Sequence, residues 1–547
     1  MSRFHVFERH EWKWIAIFSL LMGILALMPV LVGYANSTPA HTFLGFSFVE
    51  DTQAYAAYVN SGVRENLFVL QDYSTSEVSE GRYIILYFSL IAFVVQLTHL
   101  PLDWVWNAFH FFSVVALFFL IAIFLKRLIP DPATRSVALI LTGLGGGLGG
   151  VLFVLGKFFP IAARIYSHDL TYELGYSFIG FSFHALSVFG LFFLLLALND
   201  LLKFYERGKP RYLGWTALFL LISALNHPPA GVVGFALVGL FIGVQALHTY
   251  RVTHRISLAP FAAVIVPGLI WVAYILWARQ DPIYLFHQTI YLTWARTESV
   301  QWYIFGFGLL GLVGLYGWLR ARGSFSHARA FELMACWLVI AFLASNLLTA
   351  GVKYLYLLHF PLAVLAAAGC IMFWNRFLSA RLPSISFRAF VGIFLLLLCF
   401  SAPFVIAKRS GEVLLEPKHY LSAGEEATIA FAAGLSPGIV ASDYRMGSLF
   451  SWRTGLRPYV AHGFLTIDFK EKRAAIMEFF SGMMTPENQR AWLEREHITY
   501  VLVGTDEQAM MDTLKDDRNP FDPARIGMEL LFEKEGNRLY RVRARDD

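Results

Sequence analysis

Apolar runs of near-membrane length recur along the first three quarters of this 547-residue chain, and they limit its fold more than any other feature. They fall near 14–34, 104–125, 136–159, 178–202, 212–226, 229–248, 258–278, 302–320, 331–349, 354–375 and 388–407. A helix needs about 20 mostly apolar residues to cross a hydrocarbon layer, and most of these runs approach that length. Lipid offers no partner to a backbone N–H or C=O, so runs of this kind must fold as helices. With 57% hydrophobic and only 15% charged residues, a body surrounded by water would expose too much apolar surface. The sequence therefore predicts a polytopic α-helical membrane protein of about eleven spans.

Charge gives the direction of the spans. Basic residues gather in five short segments: Lys126, Arg127 and Arg135; Lys203, Arg207, Lys209 and Arg211; Arg251 and Arg255; Arg320, Arg322 and Arg329; Arg376, Arg381 and Arg388. By the positive-inside rule these segments are expected on the cytoplasmic side, with the N-terminus. The alternate segments and the C-terminal residues are then periplasmic or extracellular, in a multi-pass protein of the inner (plasma) membrane. The first run follows Arg3, Arg9 and Lys13 and is long enough to span, so it reads as a retained anchor. Ile84 to Leu97 is too short to cross, and a crossing there would invert every later segment, so a helix lying in the interface is expected.

Close to half of all charged residues fall in the last quarter of the chain, which marks a change of solvent. Two regions are expected: a transmembrane domain over 1–407, with a long first external loop at 35–103, and a small soluble α/β domain over 408–547 outside the cytoplasm. In the latter, Gly438 to Ser442 and Thr499 to Gly504 read as strands, Arg473 to Phe480 and Glu487 to Glu496 as helices, and Leu530 to Val542 as a hairpin. The Gly-rich piece Gly143 to Gly150 lacks the Lys-Ser/Thr ending of a phosphate loop and reads as close helix packing. Cys336, Cys370 and Cys399 lie in apolar runs and read as core residues. A net charge of only +5, placed in short segments between spans, implies no nucleic-acid partner.

Candidate chemistry begins after the first run, where Glu50 and Asp51 are adjacent. Two neighbouring carboxylates can divide the work, one taking a proton from an attacking hydroxyl while the other holds a metal ion or a sugar. An acidic pair there, an apolar helix before the second span, many further spans and a terminal soluble domain together resemble the membrane glycosyltransferases of the GT-C fold. Asp51 followed by Tyr55-Ala56 resembles the Asp-x-x-x-Tyr-Ala stretch of the aminoarabinose transferase and protein O-mannosyltransferase-like group. The chain departs from that group in having Thr52 where the group has Glu, with its second acid at Glu50. Arg164 to Asp169, with His168 between them, resembles the group's Arg-x-x-x-x-Asp pattern.

The resemblance implies Asp51 and Glu50 as catalytic residues and Tyr55, Arg164, His168, Asp169, His227 and Lys353 as substrate-binding residues. His227 lies in the helix-breaking Asn226-His227-Pro228-Pro229, and Lys353 stands where a GT-C enzyme places a cation toward a lipid phosphate. Glu50, Asp51 and Asp169 are the candidate ligands of a divalent metal, Mg or Mn. The implied activity is inverting transfer of a hexosyl or pentosyl group from a polyprenyl-phosphate-linked donor to a glycan, lipid or protein acceptor at the external face. No dinucleotide-binding fingerprint serves a soluble nucleotide-sugar donor. Two alternatives share the architecture: a transporter or flippase for a lipid-linked glycan, and a non-catalytic assembly subunit. Transporters keep ionisable residues at mid-membrane, whereas here the acids concentrate in the external segments and the span centres are almost free of Asp and Glu.

Overall fold

A computed structural model describes all residues except 1–8, 160–161, 163–167, 172, 293–299, 382–383, 514–520 and 544–547. Arg164 therefore lies outside the described residues, and so does the side chain of His168. The chain forms two compact units. One comprises Met1–Pro29, Ala108–Ile275 and Tyr291–Gly411, and the other Val30–Asn107, Leu276–Ile290 and Glu412–Asp547.

Among the described residues, nine helices are long and apolar enough to cross a membrane, and a bent pair makes a tenth. The eleventh expected run folds as Arg211–Asn226, only 16 residues long, because Gly208 and Pro210 precede it and Pro228 starts the next helix. It packs beside Ala185–Arg207, with the Ser223 hydroxyl donating to the Gly190 carbonyl at 2.8 Å.

The bent pair is Pro132–Leu144 and Gly149–Gly156, which meet at 60° across the Gly-rich piece. A Cβ at Gly147 would stand 2.2 Å from the Gly306 carbonyl oxygen, so close packing is one reason for glycine here. The second is the break itself, whose backbone needs partners inside the protein. Gly146 N–H donates to the Leu398 carbonyl at 2.9 Å and Leu148 N–H to that of Phe305 at 3.1 Å. Gly149 N–H donates to Asp169 Oδ2 at 3.1 Å and Gly150 N–H to Ser401 Oγ at 2.9 Å.

The second unit joins the C-terminal residues to the stretch after the first span. Strands β1 (His41–Phe43) and β2 (Tyr420–Ser422) pair antiparallel. A five-stranded sheet runs β4 (Arg457–Pro458), β3 (Ile439–Ala441), β5 (Ile498–Val503), β7 (Asn537–Val542) and β6 (Met528–Lys534). β3 is parallel to β4 and β5, whereas β5–β7 and β7–β6 are antiparallel. Glu535 and Gly536, both at positive φ, form the two-residue hairpin turn, in which left-handed residues match the strand twist. Helices Phe469–Phe480 and Pro486–Arg495 bury Phe479, Phe480, Trp492 and Leu493 with the sheet residues Val501 and Tyr540. Helix Val49–Arg64 is fastened to this domain by Asn60, whose amide donates to the Ser451 and Thr454 carbonyls at 3.2 and 3.0 Å.

The stretch expected in the interface is helix Leu86–Thr98. Its 13 residues span about 20 Å, well short of a bilayer core of about 30 Å. It buries Tyr87, Phe88, Ile91 and Ala92 while leaving Leu90, Phe93 and Leu97 exposed, which is the pattern of a helix bedded on protein with an apolar edge to lipid. A cysteine at Pro101 is expected to react with an impermeant thiol reagent added from outside intact cells; protection there, with reaction only after lysis, would mean that the helix crosses.

Candidate active site

The acidic pair opens helix Val49–Arg64. No side chain caps its start at Phe48, and Glu50 and Asp51 in the first turn instead set negative charge against the positive end of the helix. Successive residues on a helix point about 100° apart, so the two acids diverge. Glu50 is well exposed and lies 3.5 Å from Lys418 Nζ, which also pairs with Glu416 at 3.0 Å. Asp51 turns inward, its Oδ1 3.5 Å from His462 Nε2, with 38% of its side chain exposed.

Over residues 51–60 of this helix only Asp51 and Tyr55 keep partial exposure. They are four residues apart and so stand one turn above each other on one face. The Tyr55 ring lies nearly parallel to Trp106, with centroids 6.4 Å apart and planes 17° apart, and 5.5 Å from Phe88. An accessible carboxylate beside an aromatic wall can accept a proton from a hydroxyl while the apolar face of a sugar rests on the ring.

Behind Asp51 is a buried polar chain that no sequence motif marks. His462 accepts from Phe464 N–H at Nδ1, 3.3 Å, so its neutral ring carries the proton on Nε2, facing Asp51. Three residues on, the Leu465 carbonyl accepts from His287 Nε2 at 3.0 Å, and the same nitrogen is 3.3 Å from Asp72 Oδ2. The Tyr83 hydroxyl lies 2.5 Å from the other His287 nitrogen. Asp72 is fully buried and accepts from Ser74 N–H at 2.7 Å. Burial raises its carboxyl above the usual carboxylate range, opposed by His287, the Ser74 hydrogen bonds and His462. Asp72, His287 and His462 are far apart in sequence, and the only local signal is the small polar run Ser74 to Ser76 after a lone Asp.

The remaining candidates belong to the other unit. Asp169 is fully buried, and its Oδ2 takes the Gly149 N–H at the start of helix Gly149–Gly156, so it serves the helix break. His227 is engaged at both nitrogens, by the Tyr356 hydroxyl at 2.9 Å and Ser187 Oγ at 3.2 Å, as a satisfied core histidine would be. Lys353 is half-buried in the short turn Gly351–Tyr354 that starts helix Leu355–Phe373. Among the described residues, no group of three or more His, Cys, Asp or Glu side chains is arranged to hold a metal ion. Of the expected ligands, Glu50 meets Lys418, Asp51 meets His462 and Asp169 accepts the Gly149 N–H.

The Asp443 to Arg445 stretch beyond β3 is internal structure. Arg445 pairs with Glu425 and with Asp506 at 2.9 Å, and Asp443 N–H donates to Glu507, whose buried carboxyl is pushed up to about 7 by desolvation.

This architecture is the GT-C fold of membrane glycosyltransferases. The oligosaccharyltransferase of Archaeoglobus fulgidus superposes with a TM-score of 0.57 at 11% identity, over 98% of this chain and 75% of that one. The arabinofuranosyltransferase AftD from Mycobacteria gives 0.54 at 13% identity, over 98% of this chain and 40% of its own longer length. ArnT from Cupriavidus metallidurans, bound to undecaprenyl phosphate, gives 0.50 at 13% identity over 97% and 98% of the two chains. No family model and no curated protein matches in sequence.

Proposed function

We propose that the protein is an inverting glycosyltransferase that moves a sugar from a polyprenyl-phosphate-linked donor to an acceptor at the external face of the membrane. The observation that carries the proposal is Asp51, held on the accessible face of helix Val49–Arg64 over Tyr55, in a chain with the GT-C fold. That the ArnT structure holds undecaprenyl phosphate supports a lipid phosphate as the leaving group. A donor of that kind cannot leave the bilayer, which accounts for a transferase built on so many spans.

In the proposed reaction the acceptor hydroxyl attacks the anomeric carbon as its proton passes to Asp51. The bond from that carbon to the phosphate oxygen breaks, and the electron pair leaves with the polyprenyl phosphate. Tyr55 and the rings behind it bear the sugar.

Mass spectrometry of lipid-linked sugars in a strain lacking the protein tests the proposal. A polyprenyl-phosphate sugar should accumulate and clear on complementation, whereas an unchanged lipid profile would oppose it. The proposed orientation is tested by reporter fusions at Lys209 and Asp547, which should report opposite sides of the membrane. The same side for both would overturn the map.

A further inference from the structure

We propose that His462 is a positioning residue that holds the Asp51 carboxylate in its working orientation, and that the buried Asp72–His287 pair fixes His462 in turn. The inference rests on the reading of Asp51 as the base. Three features of the second unit carry it. The first is direction: Nδ1 of His462 is occupied by the Phe464 N–H, which leaves the proton-bearing Nε2 toward Asp51 Oδ1 at 3.5 Å. That separation is within ion-pair reach and long for a hydrogen bond, and such contacts commonly tighten when substrate binds.

The second feature is how firmly the His462 segment is held. Its carbonyl accepts from Leu465 N–H at 3.1 Å and from Thr466 N–H at 2.9 Å. The Thr466 hydroxyl donates to the Ser74 carbonyl at 2.8 Å, and Ile467 N–H to Thr75 Oγ1 at 3.3 Å. Residues 462–467 are thus tied to the stretch that carries Asp72.

The third is the buried Asp72–His287 contact itself. His287 Nε2 faces two acceptors, the Leu465 carbonyl and Asp72 Oδ2, while its Nδ1 meets the Tyr83 hydroxyl, so the ring cannot turn without losing all three contacts. Asp72 is fully buried, and burying a carboxylate is costly unless it is paired.

The test is transfer kinetics of the full-length protein in detergent for His462→Phe, His462→Gln, Asp51→Asn and the double variant with His462→Phe, each checked for melting temperature. His462→Phe keeps the size and removes the donor, and should lower kcat about tenfold to a hundredfold with KM little changed. His462→Gln restores an N–H near the Nε2 position and should recover most of that loss. The double variant should be no slower than Asp51→Asn alone, because both changes act through one carboxylate. Wild-type kcat in His462→Phe, beside a dead Asp51→Asn, would overturn the positioning role and leave Asp51 as the base. Active Asp51→Asn would instead overturn the base itself. If His462→Phe fails to fold, a His462→Gln variant that folds and yet loses transfer as fully as Asp51→Asn would also overturn the positioning role.

Discussion

Asp51→Asn is expected to reach the membrane in normal amounts, melt as the wild type does in detergent, and lose at least about a hundredfold in transfer rate. The separation of activity from folding follows from where Asp51 sits. Its side chain is 38% exposed and lies 3.5 Å from His462, so the contact is a partly solvated one and the folded state loses little when the carboxylate is replaced by an amide. The reaction loses its proton acceptor, and asparagine cannot replace one. Glu50→Gln should have a much smaller effect, because Glu50 points to exposed Lys418 and away from the Tyr55 face. Near-wild-type transfer in Asp51→Asn with loss in Glu50→Gln would exchange the two roles. Full activity in both would place the chemistry elsewhere.

Gly317→Val is expected to cost on the order of 4 kcal/mol and to leave most of the protein aggregated on extraction. Helices Val300–Arg320 and Leu355–Phe373 approach along a row of small residues. A Cβ at Gly317 would stand 2.0 Å from the Leu365 carbonyl oxygen, and one at Gly314 would stand 2.9 Å from that of Leu362. On the facing helix a Cβ at Gly369 would come 3.0 Å from the Gly317 backbone. The obstacles are backbone atoms, which cannot rotate away as a side chain can. Close backbone approach is what holds helices together where lipid is as apolar as the side chains. Gly239→Ala is the control, since nothing lies within 4 Å of a Cβ there. The measurement is thermal denaturation in detergent followed by size-exclusion chromatography. Equal melting of Gly317→Val and wild type would contradict the packing.

The fold was legible in the sequence because lipid imposes a simple pattern. Long apolar runs must be helices, and ten of the eleven expected spans correspond to the nine long helices and the bent pair. The C-terminal domain was legible too: the Ile498–Val503 strand is apolar but for Thr499, and the expected hairpin over Leu530 to Val542 is present, turning at Glu535-Gly536. The site was legible only in part. Glu50 and Asp51 read as one acidic pair because adjacency in sequence resembles adjacency in space, yet a helix sends neighbours in different directions. The Gly-rich piece read as packing, and its second purpose, a break with four captured N–H groups, depends on Leu398, Phe305, Asp169 and Ser401 at distances no local pattern encodes. Asp72, His287 and His462 could not be found from the sequence. They meet only because 30–107, 276–290 and 412–547 fold into one unit.

The most direct measurement uses purified protein in detergent, the lipid-linked sugars extracted from the deletion strain as donor, and an envelope extract as acceptor. Mass spectrometry should show the wild type converting the donor to free polyprenyl phosphate, with the sugar appearing on the acceptor and Asp51→Asn leaving the donor intact. A flippase has no second face to deliver to in a micelle, so a donor that stays whole with active, folded wild-type protein would contradict glycosyl transfer.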